Sequence, residues 1–399
     1  MDREQLTAAE LEIRLTAHRE WLESKFNAGC RADLSLVDLS GLDLEGQDLR
    51  WVNFRQADLS GCRLRHALLH RADLSEANLS DADFEAADLG SATLIRSKLT
   101  RAVLRQAFLA GADFTRANLT DADLRDTDLH EVVFRGARMP GLCLAGQNLA
   151  AADLRECELE FADFSGADLS KTRLMRARLK AANLESANMD QADLRGVQLT
   201  YARLPGAHMR LVDLRGAELD EAVLERADLS DADFRGASLY GTDFDRAIVK
   251  GVKYDRSTRF NGIRITNCHG NPLFRRFAQD QDFIDEFRRA NPRLYLLWWA
   301  LTDCGRSIPR VLVVCALISI LFGLVYYGLG PQAFNVSELG WSFFTVMYYS
   351  VVTFTTLGFG DITPATRTAA VFVMLEVIVG YMMLGILISI LADKVARRS

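Results

Sequence analysis

Every fifth residue from Leu34 to Val249 is large and apolar: of these 44 positions, 33 are Leu, seven are Phe (Phe54, Phe84, Phe114, Phe134, Phe164, Phe234 and Phe244), three are Met and one is Val. Two residues before each of them the side chain is Ala, Cys, Ser, Thr or Val in 40 of the 44 cases, and Asp or Asn often stands between, as at Asp58, Asp73, Asn78 and Asp83. With 49% of the whole chain hydrophobic, chance does not sustain such a run. A period of five is neither the 3.6 of a helix nor the 2 of a flat strand. A backbone that turns a corner every five residues, with one large and one small side chain inward on each side, buries this pattern and leaves the other three positions outside.

The stretch resembles the pentapeptide-repeat family, whose unit A-(D/N)-L-x-x stands here as Ala72-Asp73-Leu74-Ser75-Glu76 and Ala77-Asn78-Leu79-Ser80-Asp81. The resemblance implies a right-handed quadrilateral β-helix over residues 31–254, with four repeats per coil and hence eleven coils. At about 4.8 Å between stacked strands the rod is roughly 50 Å long. Leu42, Gln47, Leu142 and Gln147 are large at small-residue positions. The second pair follows the first by 100 residues, five coils of twenty, so both are expected on one face, where the coil widens or the side chain is displaced. Pro140 and Pro205 follow an inward residue, at a corner where a missing N–H is tolerated. Solenoid ends need covers, and Leu6, Leu11, Leu15, Trp21 and Leu22 among charges make residues 1–30 a capping helix.

Charge divides the chain. Residues 31–250 carry 37 acidic and 28 basic side chains, residues 251–310 a net +5, and residues 311–399 only eight charged side chains in all. Val311 to Gly330 has no charge in twenty residues, which at about 1.5 Å per residue spans a bilayer core. Ala369 to Ala392 is a second such stretch, interrupted only by Glu376. Between them, residues 339–368 are too apolar for an exposed loop and then abruptly glycine-rich at Gly358 and Gly360. Irregular backbone at membrane depth is viable only where it is buried in protein or lines a watery path, the situation of a re-entrant pore loop.

Thr353-Phe354-Thr355-Thr356-Leu357-Gly358-Phe359-Gly360-Asp361 is similar to the potassium-channel signature TxxTxGYGD, with Ser350 and Val351 extending the match and Tyr348 and Tyr349 where that family often carries two Trp. Residues 308–399 thus resemble an all-α two-transmembrane pore domain, and the chain as a whole is of mixed fold class. The resemblance implies a homotetramer in the lipid bilayer, in which the carbonyls of Thr356, Leu357, Gly358 and Phe359, followed by Gly360, form a selectivity filter for potassium ions. It implies that the Thr356 hydroxyl is the innermost ligand and that Thr355 and Asp361 support the filter, the Asp361 carboxylate being held by the Tyr349 hydroxyl. Leu357 and Phe359 replace the usual Val and Tyr at side chains that face away from the ion path, leaving the carbonyl chemistry unchanged. Gly380 stands where the family's inner helix often has a gating hinge, although close helix packing explains a glycine equally well. Glu376 is an ionisable group inside a span, either functional or held protonated by hydrogen bonds.

Arg306 and Arg310 precede the first span, Lys394, Arg397 and Arg398 follow the second, and only Arg367 lies between. The positive-inside rule then places both termini in the cytoplasm of a cell's inner membrane. Residues 255–307 form a linker: Asp280 to Ala290 reads as a short charged helix, and Leu294 to Trp299 as an interfacial one. Seven scattered cysteines without a CxxC pair suggest reduced thiols and no zinc site. No catalytic residue is expected, and no cofactor beyond the permeant ion. A second reading makes the spans anchors for a scaffold, or for a DNA mimic that binds topoisomerases. The modest acidity of the repeats and the basic cluster Lys171, Arg173, Arg176, Arg178 and Lys180 disfavour mimicry, and no nucleic-acid partner is expected. Regular repeats offer no convergent polar pocket that would name a cytosolic partner.

Overall fold

The computed structural model describes residues 4–336 and 340–396, in two compact units that divide after Asp282. Leu339, Arg397 and Arg398, and the side chain of Lys394, lie outside the described residues.

In the first unit, residues twenty apart pair as parallel bridges, Asp33 with Asn53 and Asn53 with Asp73, onward to Asp233 with Lys253, with one bridge on each five-residue side. Each coil therefore has four sides. At most corners the N–H of the small residue donates to the carbonyl of the preceding large one, as from Ala57 to Phe54 at 3.0 Å and from Ala72 to Leu69 at 2.9 Å. The residue between them is left-handed, with φ of 60° at Gln56, 59° at Glu76 and 65° at Gly61. Branching at Cβ is strained there, and no Val, Ile or Thr occupies that position from Leu36 to Gly251. Where an Asp or Asn stands on a side it closes a local turn, Asp73 Oδ1 accepting from the Ser75 N–H at 3.0 Å, and Asn78 Nδ2 donates along the ladder to Asp58 Oδ1 at 2.9 Å. Inward Leu and Phe side chains stack coil on coil, the rings of Phe114 and Phe134 with centroids 5.1 Å apart. Polar atoms that enter the small-residue column are satisfied, Thr172 Oγ1 donating to the Leu169 carbonyl at 2.6 Å.

Widening and displacement each occur once at the exceptional positions. Leu142 is buried, and among the described residues the ladder lacks the bridge between Asp123 and Cys143, so the coil opens to admit the larger side chain. Leu42 instead points outward, 38% exposed, beside an intact Asp43–Arg63 bridge. Gln47 and Gln147 are half-buried.

The coil also runs past residue 254. One extra residue shifts its ladder, so that Ser238 pairs with Arg259, Asp243 with Arg264 and Ile248 with His269. Phe260 and Ile265 resume the inward column, and Tyr254 swings out against Phe274 and Phe277. Both ends are covered. At one, α1 (Ala8–Glu23) starts from a capping box in which the Thr7 N–H donates to Glu10 Oε2 at 2.8 Å. Preceding it, β1 (Glu4–Gln5) pairs in parallel with β2 (Val37–Asp38). At the other end α2 (Pro272–Ala290), which begins well before the expected Asp280, buries Phe274 and Ala278 against Phe234, Phe244 and Phe260.

In the second unit α3 (Pro292–Thr302) turns through left-handed Asp303, Cys304 and Gly305 into α4 (Ile308–Leu329). Arg310 fixes this elbow, its guanidinium 5.2 Å from the Trp299 ring centre and donating to the Trp299 carbonyl at 2.9 Å. On α3, Leu294, Leu296, Leu297 and Trp299 remain exposed. A short α5 (Phe343–Phe354), capped by the Ser342 hydroxyl, packs between α4 and the 30-residue α6 (Arg367–Ala396). Among the described residues, α4 and α6 are the two helices long and apolar enough to cross a membrane. An antiparallel pair, β3 (Phe334–Val336) with β4 (Ile362–Pro364), ties the chain after α4 to the chain after the glycine-rich segment.

Candidate functional site

The α5 helix ends in a double turn closure: the Thr356 N–H donates to the Thr353 carbonyl and the Leu357 N–H to the Val352 carbonyl, both at 3.0 Å. This is the Schellman arrangement, with Thr356 in the left-handed position that glycine ordinarily takes. Its φ is 61°, and positive φ recurs at every second residue, 52° at Gly358 and 79° at Gly360. A flat strand alternates its peptide planes, and alternating the sign of φ departs from that in a way that lets successive carbonyls point the same way. Glycine adopts this at no steric cost; Thr356, branched at Cβ, does so under strain. The segment is open in the single chain, with Leu357 63% and Phe359 65% exposed. Thr355 and Thr356 stand on the wall of an open apolar cleft of about 810 Å³ between α4, α5 and α6.

The neighbouring tyrosines of α5 have different surroundings. Tyr348 has Asp361 beside its hydroxyl. Tyr349 is buried among Tyr326 and Phe334, with ring centres 5.6 Å from each. A helix advances about 100° per residue, so two consecutive side chains cannot share one face, and Tyr349 is the one turned inward.

Glu376 lies in the interior, fully buried. The Tyr326 hydroxyl of α4 donates to its Oε2 at 2.5 Å, and its Oε1 is hydrogen-bonded to Ser350 Oγ of α5. Ser350 Oγ in turn donates to the Ser319 carbonyl of α4 at 2.7 Å. Tyr326 and Ser319 escaped the sequence reading because a polar tip in an apolar span carries no spacing signal, and Tyr326 is 50 residues from its partner. Gly380, one turn further along α6, meets the end of α5: a Cβ built there would be 2.3 Å from the Phe354 carbonyl oxygen. That contact requires glycine whatever else the position does. On the first unit, the basic cluster is partly neutralised, Arg178 pairing with Glu160 at 2.9 Å and Arg173 with Asp153 at 3.6 Å.

The family model described as ion channel matches residues 314–397. That for pentapeptide repeats matches eight copies within residues 32–71, 97–136, 143–180, 177–216 and 213–251. The chain is similar to potassium channel subfamily K member 5 of Homo sapiens, 37% identical over 71 residues, which are 18% of this chain and 14% of that protein. It is also similar to two-pore potassium channel 4 of Arabidopsis thaliana, 30% identical over 92 residues, 22% of this chain and 32% of that one. The chain thus spans no more than 32% of the length of these relatives. Among solved structures it is similar to HetL, a pentapeptide repeat protein involved in heterocyst differentiation regulation from the cyanobacterium Nostoc sp. strain PCC 7120, at 25% identity, 66% and 97% coverage and a TM-score of 0.31. Rfr23, a pentapeptide repeat protein of the cyanobacterium Cyanothece 51142, is likewise 25% identical, with 31% and 90% coverage and a TM-score of 0.23.

Proposed function

We propose that this chain, which joins a pentapeptide-repeat region to an ion-channel domain, assembles as a homotetramer in the membrane and conducts potassium selectively. The backbone carbonyls of Thr356, Leu357, Gly358 and Phe359 line the path, with the Thr356 hydroxyl innermost and Gly360 closing the outer end. The observation that carries this reading is the alternation of φ sign through Thr356, Gly358 and Gly360, immediately after a short apolar helix flanked by two span-length helices. One line of carbonyls cannot enclose an ion, whereas four such loops around an axis replace its hydration shell. The exposed Leu357, Phe359, Phe344 and Val351, together with the open cleft, are the apolar surface that neighbouring copies would cover. The basic residues outside the two spans favour cytoplasmic termini and hence a cytoplasmic repeat domain, read as a right-handed quadrilateral β-helix. The exposed apolar side of α3 suits the membrane interface.

The test is potassium and sodium flux from the purified full-length chain in liposomes, with its mass in detergent measured alongside. Four copies and a potassium-selective flux that Gly358→Ala abolishes are expected. Absence of flux, or equal flux in the variant, would overturn the reading.

A further inference from the structure

The oxygens around Glu376 count their own protons. Ser350 Oγ lies 2.7 Å from the Ser319 carbonyl, which has no hydrogen to give, so the single serine proton points there. The bond between Ser350 Oγ and Glu376 Oε1 then needs a hydrogen that only the carboxyl can supply. The Tyr326 hydroxyl is already committed as donor to Oε2. A carboxylate would leave Ser350 facing two acceptors with one proton. A carboxylic acid satisfies every oxygen: Tyr326 donates to Oε2, Oε1–H donates to Ser350, and Ser350 donates to Ser319. The charge environment agrees. Between Arg310 and Arg367, and from Thr368 to Asp393, the sequence has no Lys, Arg or His. Among the described residues, the titratable groups facing Glu376 are Tyr326 on α4 and Tyr349 on α5, both uncharged phenols, and α6 offers none. A buried carboxylate with no cation in reach is costly.

We infer that Glu376 is a positioning residue that works as a neutral carboxylic acid, a proton-dependent bolt that holds the inner helix α6 to the outer helix α4 through Tyr326 and to the pore helix α5 through Ser350. Ser350 lies one turn before Phe354, the residue from which the filter segment departs, so the bolt sets the height and tilt of the filter's support. Loss of the carboxyl proton removes the donor to Ser350, puts an unpaired anion behind the pore helix and disengages it. Alkaline pH therefore stops conduction. A glutamine at this position keeps the whole network, its amide N–H donating to Ser350 and its carbonyl accepting from Tyr326, but has no proton to lose.

This rests on the channel reading above, and the experiment separates the two. In reconstituted full-length protein, infrared difference spectra between wild type and Glu376→Gln report the carboxylic-acid C=O stretch whether or not the protein conducts. A neutral-acid band present in wild type and missing in the variant is expected, and its absence from wild type overturns the inference. Potassium flux is then followed as pH rises. Wild type is expected to lose flux by about tenfold per pH unit, or more steeply, once the acid titrates, whereas Glu376→Gln conducts at neutral pH and stays flat over the same range. Identical alkaline profiles, or a folded Glu376→Gln tetramer without flux at neutral pH beside a conducting wild type, overturn it. A wild type that shows the infrared band but conducts at no pH defeats the channel reading while leaving the neutral acid standing.

Discussion

Gly380 and the tyrosine pair Tyr348 and Tyr349 show where a signature motif stops being informative about its surroundings. The run from Thr353 to Asp361 names the filter candidates outright, because backbone geometry there depends on local residue type: glycine at alternate positions, and a short apolar helix in front. Which tyrosine reaches Asp361, and what faces Gly380, depends instead on the rotation of α5 and α6 about their axes, which neighbouring helices decide. At Gly380 the consequence is testable. A methyl group 2.3 Å from the Phe354 carbonyl oxygen has no flexible neighbour to yield to, since the obstacle is backbone. Gly380→Ala is expected to destabilise the pore domain by about 1–3 kcal/mol, as overpacking does, and to lower potassium flux by displacing the end of α5. Thermal unfolding in detergent alongside flux decides the role: a variant with unchanged stability and altered opening kinetics would point to a hinge instead of a packing contact.

The covers of the repeat unit combine apolar burial with one ionisable contact that the amphipathic pattern of α1 did not disclose. On the inner face of α1, His18 is fully buried, its Nδ1 accepting from the Ala32 N–H at 3.2 Å and its Nε2 3.0 Å from the Arg50 carbonyl. The accepting Nδ1 fixes the neutral tautomer with the proton on Nε2. Burial pushes the imidazole below its usual range, against the opposing pull of the Arg50 carbonyl and of Asp48, while Arg31 and Arg50 push it further down. A histidine with a depressed folded-state pKa contributes its stability above the unfolded value of about 6.5 and loses it as pH falls through the folded value. Protonating Nδ1 would set two N–H groups against each other at Ala32. The α1 cap is therefore expected to be firmly docked at pH 7 and above and to loosen on acidification. Amide hydrogen exchange across residues 8–23, compared at neutral and acidic pH after correction for intrinsic exchange, should rise in wild type. In His18→Gln any rise should lack the histidine contribution; equal acid responses would show that His18 does not control docking. The opposite cover was concealed differently. One inserted residue after Tyr254 breaks the count of five, so the last coil, with Phe260 and Ile265, fell on the wrong side of a boundary drawn by period alone.

The repeat unit as a whole is a stack in which each coil touches chiefly the coil before and after it, so its stability is close to a sum of coil and interface contributions. Its sequence code is cyclic in five and its outer columns are cyclic in twenty, which makes deletions informative. Removing residues 191–210 takes out one whole coil and brings residues 171–190 onto residues 211–230. Leu174, Leu179, Leu184 and Met189 then stack on Leu214, Leu219, Leu224 and Leu229, and outside them Arg173 meets Asp213, Arg178 meets Glu218 and Asn188 meets Asp228. Every inward position is kept, and of the four new outer neighbours on the ladder only Asn183 against Val223 is not complementary. Removing residues 191–208 instead puts Met209 at a left-handed corner and drives Leu214, Leu219 and each later large residue out of the core, while Gly216 and its counterparts leave the corners that suit them. The first deletion is expected to give a folded full-length chain that melts cooperatively within a few degrees of wild type, and the second a misfolded repeat unit, although it removes two residues fewer. Circular dichroism melting distinguishes them. Potassium flux from the twenty-residue deletion then tests the repeats' part in conduction: retained flux means that coil number does not govern the pore, and flux lost from a protein that still melts like wild type would mean that the length of the stack is itself part of how the channel opens.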